Sequence, residues 1–332
     1  DKIQEYEKTR KMLKNTPAMY KKEYPFLKEV DSLALANVQL HLEKAYKNFF
    51  RDPKIGFPRF KSKHHSRNSY TTNVVNGNIL VESKRIRLPK LKWIAMKKHR
   101  EPAKGLRLKS VTVSMEPSGK YFASLLYEGY SCENQAAEPD YSTAKILGID
   151  YAMQGMAVFS EKVETEEAGF FRKNEKRLAR EQRKLSRCVR GSHNYELQKK
   201  KVARCHEKIR NQRRDYLHKL SRKIADSYDA VAVEDIDMKA MGQCLHFGKS
   251  VHDNGYGMFR EMLDYKLAWK GKKIVKVDRF FPSSKKCCQC GRIKKELKLS
   301  ERVYHCVCGN EMDRDRNAAI NIREEARRML IA

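Results

Sequence analysis

The sequence predicts a multidomain α+β protein, in which a helical segment and a small β-barrel precede an alternating α/β region with an inserted zinc knuckle. Three observations predict this class. The period of the apolar residues changes from helical to strand-like near Phe57, apolar strands alternate with helices after about residue 146, and five cysteines cluster between Cys287 and Cys308. With 332 residues, the chain is long enough for two or three domains with cores of their own.

The composition is strongly basic, with 71 Lys and Arg residues against 41 Asp and Glu residues and a formal net charge of +30. An excess of this size favours a polyanionic partner, because each neutralised phosphate releases counterions. A basic binding protein such as a ribosomal factor has a similar charge, so charge alone leaves both classes open.

Cysteine usage indicates a reducing cytoplasm. Five of the nine cysteines form one cluster and the other four are scattered, which favours one metal site over a disulfide scaffold. No apolar run approaches the roughly 20 residues of a membrane span, and no secretory segment opens the chain, so no membrane partner is expected. The first residue is Asp1 instead of Met, so we expect preceding residues to be missing.

The first part of the chain is predicted as a helical segment, residues 1–56, and a β-barrel, residues 57–130. Apolar residues recur near helical spacing up to about residue 50, with Pro17 and Pro25 as breaks. Turn signals such as Asn76-Gly77 then separate short strands, which suggests a small barrel. The predicted strands are residues 78–81, 85–88, 110–114 and 121–126, and a polar linker follows at residues 131–145.

A basic segment at residues 58–70 is rich in hydroxyl and aromatic side chains. Phosphate contact combined with base stacking uses these residue types, but a solvated basic loop has the same composition, and the sequence leaves both open. The candidate nucleic-acid contacts in this segment are Arg59, Lys61, Lys63, Arg67, Asn68 and Tyr70.

Residues 146–281 are predicted as an α/β core. Its elements are strands at 146–150, 229–234 and 273–277, a hairpin partner at 155–159 and a helix at 257–269. Residues 172–223 interrupt the core with 20 Lys and Arg against 5 Asp and Glu residues, and a turn at 190–194 predicts two antiparallel helices. Such a run is often only a solvated face, but the four-to-one bias favours nucleic-acid contact through residues including Arg183, Lys184 and Arg187.

Three carboxylates are the candidate catalytic residues. Asp150 and Glu234 each end an apolar strand and Asp315 opens a helix, at spacings of 234 − 150 = 84 and 315 − 234 = 81 residues. They converge only if the two strands are neighbours in one sheet and the helix packs across it. Three such groups repel unless cations neutralise them, and two Mg²⁺ ions held this way can hydrolyse a phosphodiester. The ordered set predicts a ribonuclease-H-like nuclease core.

Each carboxylate also has a structural interpretation. Asp315 could cap its helix, and Asp150 and Glu234 could accept hydrogen bonds in turns. Asp313 competes with Asp315 for the third position, and it is predicted to cap the helix or to assist catalysis.

The cysteine cluster predicts a structural zinc site. Cys287 and Cys290 have the spacing of a metal knuckle, whereas Cys306 and Cys308 are one residue closer together than the usual second pair. Four thiolates remain feasible, and His305 is the alternative to Cys306 because it restores the common spacing to Cys308. Cys288 is expected to be the spare thiol, and the knuckle is expected to span residues 282–312.

Six motifs in order resemble the TnpB (OrfB) family of insertion-sequence proteins, which is similar to the ancestor of type V CRISPR effector nucleases. The motifs are LGID (147–150), QRKLSR (182–187), DYLHKLS (215–221), VEDI (233–236), VDRFFPSSK (277–285) and DRDRNAA (313–319). The resemblance runs from about residue 58 to residue 330. Two features depart from it: the chain lacks the family's opening strand and initial helix, and Asn68 stands where many members have Gln.

The resemblance implies an RNA-guided DNA endonuclease, a hydrolase with a RuvC-type nuclease domain. Asp150, Glu234 and Asp315 match its three acids, which hold Mg²⁺ or Mn²⁺, and one structural Zn²⁺ is expected. Residues 1–56 match a recognition lobe, residues 57–130 a wedge domain and residues 313–332 the last acidic motif and helix. The implied partners are a guide RNA from the transposon end and double-stranded target DNA beside a short transposon-adjacent motif. The implied location is the prokaryotic cytoplasm, in association with the nucleoid.

Two other functions compete with this one. A non-cleaving nucleic-acid-binding regulator of transposition would keep the basic helices and the knuckle, but it would need a lost carboxylate, and none is lost. A ribonuclease-H-like transposase uses three carboxylates in a similar core, but it has no need of a guide RNA.

Overall fold

The computed structural model describes residues 16–60, 62, 68–129, 139–152, 156–165, 170–237, 255–298 and 300–332. The chain divides into two compact units, Asp1–Cys132 and Glu133–Ala332. Among the described helices, none combines the length and the apolar character that crossing a membrane requires.

The described part of the first unit contains one long helix, α1 (Ser32–Arg51), as the apolar periodicity predicts. It begins after Asp31, whose carboxylate accepts a hydrogen bond from the Leu33 backbone N–H at 3.1 Å. The Asp31 carboxylate also accepts from the Thr72 hydroxyl, and Asn37 donates to the Thr71 carbonyl at 2.9 Å. The helix is therefore fixed to a strand beside it. The first 15 residues of the predicted helical segment lie outside the described residues.

The strands of the first unit pair as two antiparallel three-stranded sheets, which share a core of Ile79, Ile86, Leu88 and Val111. One sheet has the order β1-β5-β6, from Ser69–Asn73, Arg107–Met115 and Tyr121–Glu128. The other has the order β2-β3-β4, from Leu80–Val81, Arg85–Leu88 and Lys92–Ala95. The four predicted strands are present. Closure into a barrel is not among the strand pairings of the described residues and stays a prediction.

A four-stranded sheet of order β10-β9-β7-β8 forms the centre of the second unit. Its strands are β7 (Ile146–Ala152), β8 (Met156–Phe159), β9 (Ala230–Glu234) and β10 (Lys273–Val277). β7, β9 and β10 run parallel and β8 runs antiparallel to β7. These bounds agree with the predicted strands to within a few residues. The prediction succeeds because these strands are mostly apolar runs, which are typical of strands buried on both faces.

Helices cover both faces of this sheet. α3 (His193–Ser227) and α4 (Tyr256–Ala268) cover one face and α5 (Arg314–Ile331) covers the other, while α2 (Phe170–Ser186) packs on α3. A short hairpin of β11 (Val303–His305) and β12 (Glu311–Asp313) precedes α5. Leu147 and Val231 pack toward α3 and α4, whereas Ile146 and Ala230 pack toward α5. Successive residues of a strand point to opposite faces, so the even-numbered residues of β7 and β9 point toward α5.

The predicted pair of basic helices is present as α2 and α3. Asn174 contacts Gln212 and Gln198 contacts Glu181, at 3.3 and 2.8 Å, so the two helices run antiparallel. Ser192 caps α3 by accepting from the Tyr195 backbone N–H at 3.1 Å. The connecting turn therefore ends before the predicted limit of residue 194.

Candidate active site and cysteine cluster

Asp150 and Glu234 lie side by side at the same edge of the central sheet. The parallel register of β7 and β9 pairs Ile149 with Val233, so the next residues along each strand are the two carboxylates. Asp150 and Glu234 both have even numbers, so their side chains point to the face of the sheet that α5 covers. The sheet thus brings together two residues that are 84 positions apart in the chain, as the sequence analysis requires.

Helix α5 crosses this face in direct backbone contact with β7. A Cβ atom on Gly148 would lie 2.0 Å from the Ala319 carbonyl oxygen and 2.9 Å from the Arg323 Cβ, far inside contact distance. Only glycine permits this approach. Asp315 lies one helical turn before Ala319, so the close crossing positions its carboxylate over the edge where Asp150 and Glu234 end.

The electrostatics of Asp150 indicate repulsion from the other two carboxylates. Burial, and then the charges of Glu234 and Asp315, raise the pKa of Asp150 to about 8. Burial also raises the pKa of Glu234. Arg314 offsets part of this repulsion through a contact of 3.2 Å with the Asp315 carboxylate. Cations bound among the three carboxylates would remove the rest, so the donor set fits hard divalent metal ions.

Asp313 has a different position from Asp315. It is the N-cap of α5, and its carboxylate accepts a hydrogen bond from the Arg316 backbone N–H at 2.9 Å. The side chain is exposed, whereas Asp315 is among the groups whose charges raise the pKa of Asp150. The capping interpretation therefore applies to Asp313 and not to Asp315.

Tyr256, at the start of α4, is a neighbour of the carboxylates that sequence reasoning did not single out. Its ring centroid lies 5.0 Å from that of Tyr151, the residue after Asp150, and it is only 1% exposed. Burial, and then the charge of Asp150, raise the pKa of Tyr256. Its hydroxyl has no hydrogen-bond partner within the described ranges. No local motif marks this residue, because its position depends on how α4 packs on the sheet.

The four predicted cysteine ligands lie together. The Sγ atoms of Cys287, Cys290, Cys306 and Cys308 are all within 4.8 Å of one another. The Cys287–Cys308 and Cys290–Cys306 Sγ pairs are 3.7 and 3.6 Å apart. Zn–S bonds of about 2.3 Å in a tetrahedron separate sulfurs by about 3.8 Å. The cluster can therefore hold a zinc ion.

Three further observations bear on the choice of ligands. His305 faces Glu311 across the β11–β12 hairpin, with 3.5 Å between Nδ1 and Oε2, so the geometry favours Cys306 as the fourth ligand. Although burial disfavours its thiolate, hydrogen bonds that include one from Asn310 lower the pKa of Cys287 to about 6. The spare thiol, Cys288, lies 3.5 Å from the Met312 sulfur.

Two buried asparagines on α5 connect the cysteine cluster to the helix that carries Asp315. Asn317 donates to the Lys286 carbonyl at 2.7 Å and accepts from the Cys288 backbone N–H at 3.1 Å. Asn321 donates to the carbonyls of Ser283 and Lys286 at 2.8 and 2.6 Å. The loop that presents Cys287 is thus hydrogen-bonded directly to α5. The motif DRDRNAA contains Asn317, but the sequence alone does not show which residues Asn317 contacts; only the packing of α5 shows them.

The predicted nucleic-acid contacts belong to both units. Arg59 is exposed, and Asn68 accepts a hydrogen bond from the Met115 backbone N–H through its carbonyl at 2.9 Å. Tyr70 is half-buried in β1, where burial and then the charge of Asp31 raise its pKa. Arg183, Lys184 and Arg187 are exposed on or just after α2, whereas Lys61, Lys63 and Arg67 lie outside the described residues.

Comparisons with known proteins identify the family. An OrfB model described as "Probable transposase" matches residues 129–244, and a model described as "Cas12f1-like, TNB domain" matches residues 256–322. A Streptomyces pristinaespiralis protein, provisionally named an RNA-guided DNA endonuclease, is 35% identical over 305 residues, which cover 90% of this chain and 73% of the relative. The chain belongs to the TnpB family.

A second relative and a solved structure agree with the assignment of this chain to the TnpB family. InsQ of Escherichia coli K12, with the same provisional name, is 33% identical over 316 residues, which cover 90% of this chain and 76% of InsQ. A cryo-EM structure of a Cas12f1–sgRNA–target DNA complex matches with a TM-score of 0.55 and 15% identity, over 88% of this chain and 71% of that one. At this identity the likeness shows a shared α+β fold alone.

Proposed function

We propose that this TnpB-family chain is an RNA-guided DNA endonuclease of an insertion sequence, which hydrolyses target DNA beside a short transposon-adjacent motif. The observation that carries the proposal is the convergence of Asp150, Glu234 and Asp315 at one edge of a sheet. Relatives that match 90% of the chain are named for this activity, which supports it.

In the proposed RuvC-type centre, Asp150 and Glu234 would hold Mg²⁺ or Mn²⁺ from the sheet, and Asp315 would hold it from α5. When bound, the ions supply an activated water and neutralise the leaving oxygen of the phosphodiester. Asp150 would bind a cation as the carboxylate, so its proton would have to leave for the solvent first, and the Gly148 crossing holds the start of α5 over the same face. Asp313 assists by capping α5, which orients the first turn of the helix.

The cysteine cluster has a structural part in this proposal. Cys287, Cys290, Cys306 and Cys308 would hold one Zn²⁺ in a closed site, because a tetrahedron of four thiolates leaves no position for water or substrate. Through Asn317 and Asn321 the loaded knuckle would fix α5 in position. Zinc would therefore affect DNA cleavage only indirectly, by keeping Asp315 in position.

The remaining regions have proposed roles by family resemblance. Residues 1–56 would be a recognition lobe and residues 57–130 a wedge domain, joined by the linker 131–145 to the RuvC-like core 146–281. The core carries the basic hairpin 172–223. The knuckle 282–312 and the last acidic motif and helix 313–332 complete the nuclease.

The proposed partners are a guide RNA derived from the transposon end and double-stranded target DNA. Base pairing would read the target, while the protein reads the short adjacent motif and holds backbones by charge. Arg59, Asn68 and Tyr70, together with Arg183, Lys184 and Arg187, are the described candidates for those contacts, and Lys61, Lys63 and Arg67 complete the set.

One experiment distinguishes the proposed function from two alternative functions. The description "Probable transposase" keeps a ribonuclease-H-like transposase in view, and a non-cleaving regulator would bind nucleic acid without cutting. The test supplies two RNAs that differ only in guide sequence and maps cuts on a plasmid carrying both targets beside the same short motif. We expect each RNA to redirect the cut. Identical cuts with either RNA, or cuts without RNA, would support the transposase instead, and binding without cuts would support the regulator.

A further inference from the structure

The motif VDRFFPSSK (277–285) begins at the same edge of the sheet as the carboxylates, and the proposed function gives it no role. β10 is the outer strand in the order β10-β9-β7-β8, and its last residue, Val277, pairs with Glu234. Phe280 follows three residues later, so its Cα atom is no more than about 16 Å from that of Glu234. A DNA strand held at the carboxylates would therefore pass within a few nucleotides of Phe280.

The two consecutive phenylalanines of this motif have different environments. Phe281 is partly buried against the apolar cluster that contains Val277 and Ile322, whereas Phe280 is 86% exposed. A single exposed apolar side chain is common on protein surfaces, so its position and its backbone decide whether it has a role. Here Phe281 anchors the segment to the core and leaves the ring of Phe280 available to a ligand.

The backbone that carries Phe280 is held in a turn. The Asp278 carboxylate accepts a hydrogen bond from the Phe280 backbone N–H at 2.7 Å, and the Asp278 carbonyl accepts from the Phe281 backbone N–H at 3.0 Å. An aspartate that bonds the backbone two residues later is typical of a tight turn. The exposed ring therefore projects from an ordered backbone, which lowers the entropy that binding would cost.

An arginine stands directly before this ring. The Arg279 guanidinium lies 3.6 Å from the carboxylate of Asp235, the residue after Glu234, and Arg260 approaches the same carboxylate at 4.0 Å. Arg279 is half-exposed, and one ion pair leaves other donors of its planar fork for a phosphate. A cation for the backbone beside an aromatic ring for a base is the combination that binds single strands.

We propose that Phe280 stacks on an unpaired base of the displaced DNA strand, within a few nucleotides of the scissile phosphodiester, while Arg279 contacts the adjacent backbone. The inference rests on the proposed function, because a displaced strand exists only where guide RNA pairs with the other strand. Neighbouring bases cover the faces of each base in a duplex, whereas the displaced strand offers free faces. Every base has such a face, so the contact should tolerate any sequence.

The test combines variants of Phe280 with a single abasic nucleotide moved along the displaced strand. Cutting of that strand by the full, zinc-loaded chain is measured with guide RNA in Mg²⁺. In the unmodified chain, the abasic nucleotide should lower the rate by about tenfold at one position near the cut. Phe280→Ala should lower cutting of the intact strand by a similar factor and show no further loss at that position, because the two changes remove one contact. Phe280→Trp should restore both the rate and the abasic effect.

Trp269 provides the matched control. It is 68% exposed at the end of α4, and it precedes the first residue of β10, so it lies toward the opposite edge of the sheet. Trp269→Ala should change the rate less than about twofold and keep the abasic effect. Thermal unfolding of both variants checks that neither substitution disturbs the fold.

The outcomes separate this inference from the proposed function. A flat abasic scan, or losses in Phe280→Ala and the abasic strand that add in full, would overturn the stacking and leave guided cutting intact. An effect that depends on Phe280 only when the abasic nucleotide is in the guide RNA or the target strand would also overturn it. If the unmodified chain cuts nothing with RNA, the proposed function fails, and the affinity for single-stranded DNA then decides the stacking. Equal affinities of Phe280→Ala and Trp269→Ala would overturn it as well, whereas binding about tenfold weaker in Phe280→Ala alone would support it.

Discussion

The cysteine cluster and the carboxylate cluster use opposite strategies to bring ligands together. The four cysteines lie within 308 − 287 = 21 positions and meet through a short hairpin. The three carboxylates span 315 − 150 = 165 positions and meet only because β7 and β9 pair in one register and α5 crosses β7 at Gly148. A local site can be assembled by its own loop, whereas a distributed site depends on the whole core.

The two clusters also differ in how they carry charge. The four soft thiolates would bind zinc in a closed tetrahedron, whereas the carboxylates, two of which raise the pKa of Asp150, would bind hard cations. Asn317 and Asn321 connect them, because both hydrogen-bond the knuckle loop from the helix that carries Asp315. The comparison therefore predicts a one-way dependence, in which loss of zinc disturbs the carboxylates but loss of the carboxylates leaves zinc in place.

The largest expected effect follows from removing one carboxylate. Asp150→Ala, Glu234→Ala or Asp315→Ala should each lower plasmid cutting in Mg²⁺ by at least about a thousandfold, because the cation centre loses a ligand. Gel-shift affinity for nucleic acid and zinc content should stay nearly unchanged. Asp313→Ala is the control and should be milder, since it loses only a helix cap. Efficient cutting by Asp315→Ala together with loss in Asp313→Ala would mean that the third acid is Asp313.

A large effect is also expected from Gly148→Ala. The added Cβ would overlap the Ala319 carbonyl, so α5 must move away from β7 and carry Asp315 with it. A displacement of about 1 Å costs on the order of a hundredfold in rate, and overpacking costs about 1–3 kcal/mol of stability. Gly257→Ala is the matched control, because a Cβ there meets nothing within 4 Å. Thermal unfolding and plasmid cutting measure both effects, and equal behaviour of the two variants would contradict the close crossing.

Loss of zinc should act at a distance. Cys290→Ser should remove the metal, loosen the loop that Asn317 and Asn321 hold, and lower cutting by roughly ten- to a hundredfold. Cys288→Ser should keep zinc, as expected of the spare thiol. Elemental analysis of the purified variants measures the metal directly. Full zinc retention in Cys306→Ser would shift the fourth ligand to His305.

The smallest effect concerns pH. Because the pKa of Asp150 is about 8 without a cation, the carboxyl group is protonated below that value and must release its proton to bind metal. Affinity for Mn²⁺ should therefore rise with pH, by up to about tenfold per unit, and level off above about pH 8. Calorimetric titrations at pH 6, 7, 8 and 9 measure this, with zinc-loaded protein. An affinity that is flat or falls across this range would show that Asp150 is already ionised.

The same contrast explains what could be predicted from the sequence. The Cys287–Cys290 spacing and the apolar runs that end in Asp150 and Glu234 are strong local signals, and the structure brings these residues together as expected. Strands β1 and β4 were missed, because Ser69–Asn73 is polar and Lys92–Ala95 is exposed, so neither has the alternation of a half-buried strand. The roles of Tyr256 and Asn317 could not be predicted, because their partners come from distant parts of the chain.

We expect the fold, and not any local motif, to assemble one cation centre from Asp150, Glu234 and Asp315. The most direct measurement is a crystal of the zinc-loaded protein soaked in Mn²⁺, with anomalous diffraction recorded at the manganese and zinc edges. We expect manganese peaks between the three carboxylates, a separate zinc peak among the four thiols, and loss of the manganese peaks alone in Asp150→Asn crystals. No manganese peak at saturating Mn²⁺, or a peak at Asp313 that persists in the variant, would contradict the account.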